Sequence, residues 1–167
     1  MTFRSNSPNI GAPATAVLTG SALSGAMISL STITIPVFLD TDTEPAHLLR
    51  HWARLYHYGH IYMPTLCVTT FALYVFTAIR HSSNRRQWRN YVIAGLLTIT
   101  MVPFTWLVMV PTNDNLQALA ETTALTVDLV QLRGIVVTWA WLHIARSTFP
   151  LVGAIVGLVA VLDEVRR

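Results

Sequence analysis

Two polar side chains sit where a largely apolar sequence has least room for them. The run Trp139-Ala140-Trp141-Leu142-His143-Ile144-Ala145-Arg146 opens a stretch that stays apolar to Leu162, yet it carries an imidazole and a guanidinium three residues apart. An imidazole titrates near neutrality and can take a proton from carbon or oxygen. A guanidinium is a fixed fork of donors, suited to an oxygen that gains negative charge. Together they support proton abstraction and stabilisation of the anion left behind. His143 is the first candidate base, and Arg146 the first candidate donor to that anion. The plainer readings are a histidine hydrogen-bonded inside a core and an arginine that snorkels to lipid headgroups.

Two other segments carry chemistry of the same kind. Arg54–Pro64, RLYHYGHIYMP, holds Tyr56, His57 and His60. Val108–Leu116, VMVPTNDNL, holds Thr112, Asn113 and Asp114. His57 is the second candidate base and Asn113 a second donor. An arginine near the middle of a spanning helix disfavours insertion by roughly 2.5–3.5 kcal/mol, so Arg146 needs a partner. Asp114 is the candidate. A metal needs several ligands at matching spacing. His57 and His60 are spaced i, i+3, and His47 and His51 i, i+4, but the pairs lie on different faces, and the expectation is that no carboxylate at matching spacing completes a site. The expectation is no metal, with His57, His60 and His143 as the alternative set for iron or copper. A haem between His60 and His143 is a further alternative.

The elements that must position these groups follow from composition. The chain has 167 residues, 53% hydrophobic and 11% charged, against about 25% charged in soluble domains. Its apolar residues gather into four blocks: Ala16–Leu39, Gly59–Ile79, Tyr91–Val110 and Trp139–Leu162. Each is near the 20 residues that a helix needs to cross a bilayer. The fold class is all-α, a four-helix transmembrane bundle with short helical lumenal segments. Residues 1–15 read as a mobile tail and 16–167 as one membrane domain. The net charge of +3 contains no lysine and no basic stripe, which excludes nucleic acid. Arg80, Arg85, Arg86 and Arg89 concentrate between blocks two and three, so that loop and both termini (Arg4; Arg166, Arg167) are expected in the cytoplasm. The acidic loops, with Asp40, Asp42 and Glu44, and with Asp114, Glu121 and Asp128, then face the lumen. Cys67 is the only cysteine, which excludes an intrachain disulfide and a CxxC redox pair.

Helical periodicity assigns faces. In the fourth block Trp139, His143, Arg146, Pro150, Gly153 and Gly157 share a side, opposite Ile144, Leu151, Val152, Ile155 and Val159. The Gly153–Gly157 step permits close approach of another helix, so the polar side faces inward. In the first block Ser21, Gly25, Ser29, Thr32 and Pro36 share a face that reads as a packing seam. In the third, Thr98, Thr105 and Met109 form a stripe, Pro103 marks a kink, and Trp106 falls off the stripe, as in an interfacial belt. His47–Tyr58 has helical spacing and runs into the second block. Asn115–Val137 is partly amphipathic (Leu116, Leu119, Ala120, Thr123, Val127) and reads as a surface helix or an extension of the fourth block. Topology then gathers Tyr56, His57, His60, Asn113, Asp114, His143 and Arg146 at one side of the membrane.

The segments VPFTWLVMVPTNDNL (Val102–Leu116) and WAWLHIARSTFPLVGAIVGL (Trp139–Leu158) resemble the fungal anthrone oxygenases, a four-helix membrane family. SGAMISLSTITIP (Ser24–Pro36) and HWARLYHYGHIYMP (His51–Pro64) extend the likeness over most of the chain. The resemblance implies oxidation of a planar, apolar polyketide anthrone, such as emodin anthrone, to its anthraquinone. The chemistry of that substrate calls for molecular oxygen and no other cofactor, with iron, copper or haem as alternatives, and the resemblance implies an endoplasmic reticulum or related internal membrane. Such a substrate would enter sideways from the bilayer. Trp139, Tyr56 and Trp52 would stack on its rings, with His60 and Thr112 also at the substrate site. A scaffold subunit and a histidine-haem electron carrier are the competing classes, and the glycine seams suit a homo-oligomer.

Overall fold

The computed structural model describes residues 10–122 and 127–166. Among the described residues there is no strand, and four helical rods are long and apolar enough to cross a bilayer. These are span one (Gly11–Thr41), span two (Pro45–Arg80), span three (Arg85–Glu121) and span four (Leu129–Val165). Arg4, Arg167 and Thr123, named above, lie outside the described residues, as do residues 1–9 of the expected tail.

Each rod outruns the apolar block that announced it. Span one begins at Gly11, and Pro13 is buried in its first turn, where a missing N–H costs nothing. Residues 11–15 therefore belong to the helix rather than to a tail. Span two absorbs the helical spacing of His47–Tyr58 and starts at Pro45. Asn115–Val137 divides in two. Its first part, through Glu121, extends span three, and its second, from Leu129, extends span four. The break lies ahead of Leu129, where the Asp128 carboxylate caps the helix by accepting from the Gln131 N–H at 2.7 Å. A helix the length of span two, 36 residues, runs about 54 Å, well beyond about 30 Å of hydrocarbon.

Prolines decide where the rods leave α geometry. Pro103 has no N–H for Ile99, and the α-helix Arg85–Ile99 ends there before Met101–Phe104 resumes it. That is the expected kink. Two π segments follow the same logic, Leu30–Thr34 in span one and Thr105–Met109 in span three. Ile35 donates its N–H to the Leu30 carbonyl just before Pro36, and Val110 donates to the Thr105 carbonyl just before Pro111. In both places the wider turn uses the last N–H available ahead of a residue that has none.

Spans one and three each pack against spans two and four, which closes a four-membered ring. The tightest approach is at Gly153 and Gly157. A Cβ on Gly153 would stand 2.8 Å from the Ala94 carbonyl oxygen, and one on Gly157 2.5 Å from the Tyr74 hydroxyl. The glycine step thus works inside the bundle, against spans three and two. Trp139, His143, Pro150, Gly153 and Gly157 are buried, while Leu151, Val152, Ile155 and Val159 are exposed, as the periodicity of span four implies.

Span one corrects its expected face. Ser21, Gly25, Ser29, Thr32 and Pro36 are exposed, and Leu23, Ser24, Met27, Ser31 and Ile35 are buried. The Thr32 hydroxyl donates to its own Ile28 carbonyl at 2.9 Å. A hydroxyl satisfied this way tolerates lipid, so it does not mark a seam. At the end carrying the Arg80–Arg85 turn, Glu164 ties the spans together. One of its carboxylate oxygens meets His81 Nε2 at 3.1 Å and the other accepts from the Tyr91 hydroxyl at 3.2 Å.

Candidate active site

The half of the bundle away from that turn encloses a cavity of about 290 Å³ to which all four spans contribute. Leu30, Leu55, Met101 and Met109 supply apolar wall. The polar groups that reach it are Tyr56, His60, Thr105, Asn113, His143 and Arg146, with Trp139 beside them. The cavity therefore collects most of the residues that topology was expected to gather.

An aromatic ladder fixes the rings. His60 stacks on Tyr56 at 5.5 Å and Tyr56 on Trp52 at 5.1 Å. Trp52 meets Trp139 edge-on at 5.9 Å, and Trp139 stacks on His143 at 4.7 Å. Trp52 is fully buried and absent from the wall, so it braces Tyr56 and Trp139 from behind. The Trp139 indole N–H donates to Asn113 Oδ1 at 2.9 Å. With its oxygen engaged, Asn113 offers its NH₂ donors to the cavity.

The two π segments hold the two polar groups of span four. Ser31 Oγ, from the first, lies 3.2 Å from His143 Nδ1. Thr105 Oγ1, from the second, accepts from Arg146 Nη1 at 3.0 Å and donates its own hydrogen to the Met101 carbonyl at 2.8 Å. Arg146 Nε is buried and has no hydrogen-bond partner among the described residues. Among the described residues no carboxylate pairs with Arg146.

That last fact corrects the pairing with Asp114, which is exposed. A neutral hydroxyl meets the guanidinium instead, so its positive charge stays uncancelled at the cavity. The remaining expected residues are placed as follows. His57 is exposed and lines a separate groove with Arg50 and Arg54, because it sits 100° around the helix from Tyr56. Thr112 is half-buried beside the cavity wall and not part of it. His47 lies 3.8 Å from Glu44 and His51 2.9 Å from Asp42. Among the described residues no three His, Cys, Asp or Glu side chains gather as a metal site, so the set His57, His60 and His143 is not assembled.

The cavity opens sideways. Spans two and three pack closely along Arg85–Ile99 and again along Val110–Glu121, and more loosely along Met101–Met109 between them. The rim of this slot carries His60 and Pro64 on one side and Trp106, 72% exposed, on the other. Trp106 is therefore a jamb of the opening. Ser31 went unrecognised in the sequence because the face carrying Ser21, Gly25 and Ser29 was expected to turn inward, whereas Ser31 continues the buried line of Ser24 and Met27. Thr105 was placed on the inner stripe without its link to Arg146.

Comparison with known proteins places these features in a family. A family model described as anthrone oxygenase matches residues 52–156, which contain most of the cavity wall. An anthrone oxygenase of Aspergillus novofumigatus (strain IBT 16806) is 53% identical, covering 92% of this chain and 94% of its own. One from Cryptosporiopsis sp. (strain 8999) is 45% identical over 96% of this chain and 94% of its own. A noranthrone monooxygenase of Aspergillus flavus is 35% identical over 98% of this chain and 80% of its own. No solved structure matches the chain. With a family model covering more than half of its length, and relatives of this identity, the chain belongs to the anthrone oxygenase family.

Proposed function

We propose that this chain is a membrane-embedded oxygenase that converts a polyketide anthrone, such as emodin anthrone, to the anthraquinone with dioxygen. The observation that carries this reading is a mostly apolar cavity, open to the side of the bundle, with an imidazole and an uncancelled guanidinium at its wall. The names of the relatives support the substrate class. A scaffold would pack its interior closed, and this interior is hollow.

The proposed chemistry starts from the anthrone methylene, whose C–H is acidic because the anion delocalises onto the carbonyl oxygen opposite. His143 takes that proton. Arg146 and the Asn113 NH₂ donate to the oxygen that becomes phenolate-like, in the manner of an oxyanion site. The electron-rich carbon then adds dioxygen, and a proton returned to the distal oxygen gives a carbon-bound hydroperoxide. Loss of the second C–H proton with O–O cleavage expels water and leaves the second carbonyl. The balance is CH₂ plus O₂ to C=O plus H₂O, with no external reductant. Trp139 and Tyr56 stack on the substrate rings, and a planar apolar substrate dissolved in the bilayer enters by the slot between spans two and three.

In this reading the Arg80–Arg89 segment lies in the cytoplasm with both termini, and the membrane is endoplasmic reticulum or a related internal one. The deciding experiment incubates the purified protein with emodin anthrone under air. Heat-killed protein provides the control for spontaneous oxidation. Quinone formation above that background is the expected result, and none overturns the proposal. Metal analysis and chelator titration accompany it. Activity that depends on stoichiometric iron or copper would replace the route drawn here.

A further inference from the structure

We propose that Ser31 is the positioning residue for proton abstraction by His143. The proposal rests on the reading of His143 as the base.

Most Ser and Thr hydroxyls in these helices donate to a carbonyl one turn back in their own helix. Thr32, Thr70, Thr98 and Thr105 do so at 2.8–2.9 Å. Ser31 follows another course. It is 5% exposed, and its hydroxyl meets His143 Nδ1 across the bundle at 3.2 Å. Ser31 is absent from the cavity wall, whereas His143 is part of it. The serine therefore grips the ring from behind by one nitrogen, and Nε2 is left for the cavity.

The direction of this bond during reaction follows from the imidazole. For Nε2 to take a proton, Nδ1 of the neutral ring must already carry one. Ser31 Oγ meets the ring at that position, with the Met27 carbonyl one turn earlier in span one as a second acceptor close to the imidazole. Once the ring becomes imidazolium the same contact turns into a charge-assisted bond, which is stronger. Ser31 thus gains hold on His143 as the proton arrives. A carboxylate in its place would orient the ring too. It would also put a negative charge near Arg146, one turn further along span four, and cancel the field that an anthrone anion needs. A neutral hydroxyl orients without cancelling.

Helical spacing explains how a hydroxyl comes to lie there, since Ser31 follows Ser24 at i+7 and Met27 at i+4 on the buried face of span one. The π turn widens span one between Leu30 and Thr34, and Ile35 N–H closes it onto the Leu30 carbonyl just before Pro36. Leu30 itself lines the cavity, so this turn forms part of the wall and supports the base in the same few residues.

The test compares Ser31→Ala, Ser31→Thr and His143→Ala in purified protein, with spontaneous oxidation subtracted. Loss of a hydrogen bond to a developing charge predicts a fall in kcat of about ten- to a hundredfold for Ser31→Ala. KM and anthrone affinity, read from quenching of tryptophan fluorescence, should stay at parental values. Ser31→Thr keeps the hydroxyl and should restore kcat. Should the alanine variant prove unstable, Ser31→Cys keeps the volume, weakens the bond and should show the same loss. Ser31→Ala at parental kcat beside an inactive His143→Ala overturns this proposal alone. Equal losses in the alanine and threonine variants, with lowered thermal stability, also overturn it, since packing then accounts for both. His143→Ala at parental kcat removes the base reading and this proposal with it.

Discussion

Span four is two helices in one. From Pro150 onward its inward face is glycine and alanine, and neighbouring spans come close enough that no Cβ fits at Gly153 or Gly157. From Trp139 to Arg146 the inward face is large and polar, and the neighbours stand back around a cavity. The difference reflects how each half is stabilised. Lipid tails are as apolar as leucine, so membrane helices associate through close packing and hydrogen bonds rather than through burial from water. The glycine half has both, since Glu164 adds polar ties to His81 and Tyr91. The histidine half opens a cavity beside the π turns and Pro103, and beyond it closes with a broad apolar cluster that includes Ile35, Leu48, Trp52, Leu116, Val136 and Trp139. Close glycine packing at one end and large side chains at the other together leave room for the cavity between them.

Substitutions can break that division of labour. His143→Ala should give the largest effect, a loss of turnover of about 10²–10⁴-fold, the usual span for a general base. Thermal stability and anthrone binding should stay near parental values. A parallel loss of stability would mean that the histidine half is structural after all. Gly153→Ala should do the reverse. The new Cβ meets a backbone oxygen at 2.8 Å that cannot swing aside, which predicts a loss of about 1–3 kcal/mol in thermal or denaturant unfolding. The rate per folded molecule should not change. A fall in kcat as large as the fall in stability would show that the two halves are coupled.

The same contrast explains what could be read from the amino-acid order. The glycine half was legible because Gly153 and Gly157 repeat at helical spacing through a long regular rod. The wall residues of span four were legible for the same reason, since Trp139, His143 and Arg146 precede any irregularity. Span one was not. Its small and hydroxyl residues look like a seam in an apolar helix, but lipid tolerates hydroxyls bonded to their own backbone, and the face that turns inward is the one with Leu23, Met27, Ser31 and Ile35. The pairing of Arg146 failed on a related point. Sequence reasoning looked for a carboxylate, while the fold supplied Thr105 from a second π turn. Prolines at 36 and 111 were the visible signal, but a proline announces a disturbance without saying which way the helix adjusts.

Smaller effects sharpen the comparison. Glu164→Gln keeps the shape of the tie at the clamped end but weakens its bonds to His81 and Tyr91. A cost of about 0.5–1.5 kcal/mol in stability is expected, with unchanged kinetics, since the tie lies outside the cavity wall. Altered kcat at unchanged stability would mean that the clamped end governs the site.

Asp114→Asn should have the least effect. Asp114 is the acidic residue next to Asn113 on the cavity wall, so its charge is the obvious candidate to neutralise Arg146. The structure leaves Asp114 exposed and satisfies Arg146 Nη1 with a neutral oxygen. Asn in its place should therefore leave melting temperature and kcat/KM at parental values. The outcome matters beyond its size. A guanidinium neutralised by a carboxylate has little left to offer a substrate anion, whereas one held by a hydroxyl keeps its field directed at the cavity. If Asp114→Asn impaired turnover as severely as loss of Arg146 itself, the ion pair would exist in the working enzyme. The cavity would then be electrostatically neutral, and stabilisation of the anthrone anion would have to come from the Asn113 amide alone.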